Sequence, residues 1–182
     1  MADLTHSRQP QVLASTHLLR PLPAATRLAL RGGSQVLGAA CDALGLARSE
    51  LPCRAVRSGN RAALWLGPDE RLLIAPAESE TEMRELLERA LTGTAHSLVD
   101  VSHAQSAFEV HGTGASAALN TGCPLDLELT SFPVDMCTRT VFAKAQIVLW
   151  RVGPHSFRLE TGRSFASYVT GILGLAASEA QA

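Results

Sequence analysis

The sequence holds no apolar run approaching the roughly 18 residues of a membrane-spanning helix, which argues against a transmembrane protein. Nor has it a stripe of Lys and Arg: 16 basic residues stand against 17 acidic ones, a formal charge of −1. Nucleic acid and anionic membranes reward a concentrated cationic excess, so neither is expected as the main partner. Cys41, Cys53, Cys123 and Cys137 lack the close paired spacings of a zinc or redox site and read as reduced, packing thiols. His6, His17, His96, His103, His111 and His155 show no metal-ligand pairing. Polar and charged residues fill MADLTHSRQP where a signal peptide carries its apolar stretch, so a cytoplasmic location is expected.

What is present suits a folded chain. Hydrophobic residues make up 46% against 18% charged, enough for one ordinary domain or two small units sharing a core. Residues 1–26 hold Pro10, Pro21 and Pro23 and no sustained period, and are expected as a tail without a core of its own. Because Val12, Leu13, Leu18, Leu19 and Leu22 are apolar, that tail reads as a docking arm, lying on a partner or along its own domain.

From Arg27 the elements recur. A strand to Arg31, Gly32-Gly33 and a helix opening at Ser34 come first, with Leu37, Ala40, Cys41 and Leu44 on one apolar face. The Gly-Gly pair lacks the further glycines and lysine of a phosphate loop and reads as a close-packed turn. A hairpin follows, Ala62 to Leu66 and Arg71 to Ala75, turning at Gly67-Pro68-Asp69-Glu70. A helix from Ser79 to about Leu91 has Met83, Leu86, Leu87 and Ala90 inward and Glu/Arg pairs at i, i+4 outward. The second half gives a strand at Phe108 to Val110, a small-residue helix ending near Asn120, and a strand near Thr138 to Ala143. The hairpin Ile147 to Val152 with Phe157 to Thr161 follows, then a helix from Ser164 with Phe165, Tyr168, Val169 and Ile172 on one face.

Leu64 to Ala75, LWLGPDERLLIA, lines up with Leu149 to Glu160, LWRVGPHSFRLE, and each precedes a helix. The order predicts an α+β fold of two similar, pseudo-repeated units, each a mainly antiparallel sheet with helices on one face. The units are expected at residues 27–97 and 98–182.

Asp100, Ser102 and His103 contain the letters of a nucleophilic triad, but strand neighbours point to opposite faces, and an Asx-type turn role fits better. Asp126 and Glu128 read as an acidic patch or as solvated loop charges. Arg139, Arg151, Arg158 and Arg163 alternate with apolar residues and suit a carboxylate, a phosphate or an ion pair at a subunit surface, the last being favoured in a near-neutral chain.

DVSHAQSAFEVHGTGA, GCPLDLE, CTRT, FAKA and FRLETGRSFASYVTGIL, with the earlier LWLGPDERLLIAP, resemble the gamma subunits of heterotetrameric sarcosine oxidases from about Leu28 to Leu175. That family is similar in fold to the folate-binding domains of the glycine-cleavage aminomethyltransferases. The resemblance implies a subunit without catalytic, cofactor or metal residues, in a complex with alpha, beta and delta subunits that demethylates sarcosine oxidatively to glycine. Peroxide is the co-product, with formaldehyde or methylenetetrahydrofolate. FAD, FMN, NAD and zinc are implied for the other subunits, with tetrahydrofolate as acceptor. The aminomethyltransferases keep a carboxylate before the strand equivalent to Ile147 to Val152; here AKAQIVLWR offers Lys144 and Gln146 instead.

The leading expectation is therefore a non-catalytic subunit that supports assembly and helps wall an internal cavity. Arg139, Arg151, Arg163, Leu18 and Leu19 are its expected partner contacts. The alternative is a free-standing folate-binding protein or folate-dependent one-carbon transferase, with Asp100 or Asp126 holding a pterin.

Overall fold

Two five-stranded antiparallel sheets packed face to face, each carrying helices on its outer side, form the computed structural model, which describes residues 18–179. In chain order, β1 (Leu19–Pro21) and β2 (Ala25–Gly32) lead into α1 (Ser34–Ala43). Next come β3 (Ala55–Ser58), β4 (Arg61–Gly67), β5 (Glu70–Pro76), α2 (Glu80–Ala90) and β6 (His96–Asp100). The second half holds β7 (Gln105–His111), α3 (Ala115–Asn120), β8 (Cys137–Phe142), β9 (Ala145–Gly153), β10 (Ser156–Gly162) and α4 (Ala166–Glu179).

The strand orders are β3-β4-β5-β2-β6 and, read in the matching direction, β8-β9-β10-β7-β1. The repeat read from the sequence is thus real: β2, α1, β3, β4, β5, α2 correspond to β7, α3, β8, β9, β10, α4. Both hairpins carry a register shift beside the turn, at Trp65/Gly67 and at Ser156/Phe157. The fifth strand differs in origin. In the first sheet it is β6, which follows α2; in the second that place beside β7 is filled by β1, from the front of the chain.

Side-chain alternation along these strands divides the interior into three layers. Leu28, Leu30, Ala63 and Leu73 point outward under Leu37, Cys41, Met83 and Leu87 of α1 and α2. On the other sheet Val110, Ile147, Leu149, Phe157 and Leu159 point outward under Leu119, Val169 and Leu173 of α3 and α4. Between the sheets lie Ala62, Leu64, Leu72 and Ile74 against Cys137, Val148 and Trp150. Sheets covered on both faces need apolar residues at consecutive positions, which is why β5 reads LLIA without alternation. At one corner the sheets join through backbone bonds, Ala55 N to Asp135 O at 2.8 Å and Cys137 N to Cys53 O at 3.0 Å. α1 ends where Gly45 takes φ +68, the left-handed turn that glycine adopts without penalty.

The seam also carries charge. Arg27 Nε and Arg158 Nε each donate to Glu160 at 2.7 Å, with Arg27 and Glu160 almost wholly buried. Towards the rim Arg139 and Arg31 both reach Glu70, at 2.6 and 2.7 Å.

Of the segment expected as a tail or docking arm, Leu19–Pro21 pairs with β7 and Leu18 and Leu19 pack on the second core, a course along the chain's own domain; residues 1–17 of the expected arm lie outside the described residues. Two expectations are corrected. The expected boundary between residues 97 and 98 falls inside β6, whose Ser97 and Leu98 both pair with β2. Val169, Leu173 and Ala176 of α4 face the core, while Tyr168 and, in the turn before the helix, Phe165 face solvent, because a mostly apolar helix does not reveal its inner face by periodicity.

Candidate partner interface

α4 occupies in the second unit the place of α2 in the first: each follows its hairpin through a 3-10 turn, Arg163–Phe165 and Ala77–Ser79 respectively. Their outer faces differ in chemistry. α2 is amphipathic, with Glu80, Glu82, Arg84, Glu85, Glu88 and Arg89 outward and Met83 and Leu87 buried. Between Arg163 and Glu179, α4 carries no charged residue. Its outer surface, with that of the turn before it, holds Phe165 (43% exposed), Tyr168 (38%), Leu175 (68%) and small residues around Gly171 and Gly174, beside which a Cβ would meet nothing within 4 Å. The two aromatic rings meet edge to face at 6.3 Å. An outward aromatic pair on a helix without charge is unusual in a surface helix and suits a face that another surface covers.

The expected contact residues separate. Arg163 is exposed, opens the turn into this helix and makes no ion pair among the described residues. Arg139 is half-exposed, but its guanidinium is spent across the two sheets on Glu70. Arg151 is only 1% exposed; its Nη1 and Nη2 donate to the carbonyl oxygens of Pro154 and Leu127, and its guanidinium lies 4.3 Å from the Phe157 ring centroid. It ties the connection before β8 to the β9–β10 turn and cannot serve as a surface ion pair. Arg158 likewise turns inward, to Glu160. Leu18 and Leu19 are half-buried on the chain's own second sheet.

The polar constellations settle into turns. Asp100 Oδ1 accepts from Ser102 N at 2.8 Å, and Ser102 Oγ accepts from Arg27 N at 2.8 Å, so the serine hydroxyl is engaged by backbone and His103 stands exposed. Hydrogen bonds from Ser102 hold the Asp100 carboxyl below its usual range. Asp126 accepts from Glu128 N at 3.0 Å and Ser131 Oγ at 2.6 Å, which lowers its pKa in the same way. Cys41, Cys123 and Cys137 are buried, and burial pushes the Cys137 thiol up to about 12, an inert state for a thiol. Among the described residues no group of His, Cys, Asp and Glu is arranged to hold a metal ion, and no helix is long and apolar enough to cross a membrane.

Sequence reasoning missed the exposure of Phe165 and Tyr168 because it counted them as core. The signal that finds them is the missing charge, seen only when α4 is set beside α2.

The sequence matches the sarcosine oxidase gamma subunit family over residues 33–179. It is 34% identical over 172 residues to the sarcosine oxidase subunit gamma of Corynebacterium sp. (strain P-1), covering 91% of this chain and 82% of that protein. The structure is similar to a chain of the heterotetrameric sarcosine oxidase from Corynebacterium sp. U-96 in complex with pyrrole 2-carboxylate. That similarity has a TM-score of 0.83 and 30% identity, over 90% of this chain and 85% of the other. The fold also resembles the glycine cleavage system aminomethyltransferase T from Bartonella henselae, with TM-score 0.65 and 14% identity over 85% of this chain and 44% of that one.

Proposed function

The chain belongs to the sarcosine oxidase gamma subunit family, and from that premise we propose that it is a non-catalytic docking subunit of a heterotetrameric sarcosine oxidase. The observation that carries the docking role is the uncharged outer face of α4 where the equivalent α2 is fully charged. In this reading Phe165 and Tyr168 enter a pocket on a neighbouring subunit, and Arg163 at the head of the helix takes an acidic side chain there. Arg139 and Leu18 and Leu19 act from inside, holding the sheets and β1 in the shape that is presented. The neighbours are the alpha, beta and delta subunits; FAD, FMN, NAD and zinc reside on them, tetrahydrofolate accepts the one-carbon unit, and this chain walls part of an internal cavity. The complex works in the cytoplasm, oxidising sarcosine to glycine with peroxide as co-product.

Co-purification of the tagged chain tests this. The expected result is three companion chains, a flavin absorbance spectrum and sarcosine-dependent peroxide. A double variant, Phe165→Glu with Tyr168→Glu, is expected to fold, since both side chains are exposed, and to lose its companions. Retention of all companions by a folded double variant would remove α4 from the interface; a colourless lone chain would remove the subunit assignment.

A further inference from the structure

A cleft of about 400 Å³ opens between α1, the connection after it and the β4–β5 hairpin. Arg71 lines it, and its environment is unlike that of the other buried arginines of the seam. Only 8% exposed, it meets no carboxylate among the described residues. Its Nη1 donates to the carbonyl oxygens of Gly67 and Glu70 at 2.8 and 3.0 Å. Nη2 donates a longer hydrogen bond to Ser49 O at 3.4 Å, and Nε makes none among the described residues.

A guanidinium in the lining of a cleft, with Nη1 saturated, Nη2 keeping one N–H beyond its long bond to Ser49 and Nε unbonded, retains the two parallel donors of side-on pairing with a carboxylate. Burying a cation without a counter-charge is costly, and burial accordingly lowers the Arg71 pKa, so an incoming anion relieves a penalty already present. The walls add specificity. Trp65, 5.8 Å from the Arg71 guanidinium, lines the cleft with Leu37, Pro52 and Pro68. Arg48, the second cation of the lining, is neutralised by Asp42 through two hydrogen bonds, and Glu50 adds a negative charge. One positive charge without a carboxylate partner, with the Glu50 carboxylate in the same lining, suits no more than a monoanion and disfavours a phosphate dianion.

We infer that this cleft is a binding site for a small monocarboxylate with a flat apolar body, its carboxylate on the Nε/Nη2 edge of Arg71 and its body against Trp65. The inference does not depend on the docking role of α4. Sodium benzoate is the probe, titrated at constant ionic strength into the full chain and, separately, into the co-purified complex, followed by tryptophan fluorescence and saturation-transfer NMR. Saturable binding is expected in both, with the isosteric neutral amide, benzamide, at least about tenfold weaker, the loss that follows from removing one charge-assisted pair. Arg71→Gln should weaken benzoate to a similar degree; the benzamide comparison uses the unaltered chain and holds even if that variant misfolds. Absence of saturable binding, or equal binding of benzamide, overturns the inference. Binding by the free chain but not by the complex overturns the small-molecule assignment and gives the Arg71 edge to a carboxylate of a neighbouring subunit.

Discussion

Glu160 is the residue on which the inter-sheet seam depends most. It sits between Arg27 and Arg158, both 2.7 Å away, and its one carboxylate is shared by a guanidinium from each sheet. Removing one partner of a buried ion pair strands the other, a loss of about 3–5 kcal/mol. Glu160→Gln is therefore expected to lower stability by that amount in urea unfolding, whereas replacing Arg27, Arg158 and Glu160 together by Met, Met and Leu should recover much of it. Glu70 makes a milder, pH-dependent version of the same link. Hydrogen bonds from Arg139, with Arg31 behind them, hold its carboxyl below the unfolded value of 4.5. A depressed folded pKa contributes stability that is complete above the unfolded value and disappears as pH falls through the folded one. Unfolding free energy measured from about pH 6 to pH 3 should thus fall less steeply in Glu70→Gln than in the unaltered chain.

At the scale of elements, α3 and the β8–β9 turn are locked by one close approach. A Cβ at Gly122 would lie 2.9 Å from Phe142 and 3.0 Å from the backbone N of Ala143, which itself donates to Gly122 O. Gly122→Ala is expected to cost about 1–3 kcal/mol through overpacking, visible as a lowered thermal midpoint. The two long hairpins are legible in the sequence because each is a pair of apolar runs about a Gly-Pro turn, and α1 and α2 because each repeats its period and stops near a Gly. The short edge strands are not. LRP in β1 and HSLVD in β6 are brief, half-exposed and, in β1, end in a proline that only an edge tolerates, so local pattern gives no hint of the pairing with β7 or β2. The candidate interface is legible only in part for a related reason. Whether Arg139 serves a partner or its own chain is decided by Glu70, 69 positions away, and Arg151 by a carbonyl 24 positions away. Distances of that kind are set by the tertiary fold and leave no mark in spacing.

For the whole molecule, the shared middle layer predicts that the two sheets unfold as one. Ala62, Leu64, Leu72 and Ile74 lose their cover if Val148 and Trp150 leave, and the backbone bonds at Ala55 and Cys137 break with them. Trp65 stands on β4 and Trp150 on β9, one reporter for each sheet. Single-tryptophan variants Trp65→Phe and Trp150→Phe should therefore give coincident urea transitions once each is corrected for its own stability change; two separated midpoints would mean independent units. The placement of β1 also bears on how the chain is made. Arg20 of this strand and Glu109 of its partner are 89 positions apart, and the entire first sheet is encoded between them. At about 5–20 residues per second, a translating ribosome exposes Leu19–Pro21 roughly 4–18 s before β7 follows. Through that interval the nascent first sheet assembles beside a strand that belongs to neither it nor any other finished structure, and β1 waits for a partner that only the second half of the chain supplies.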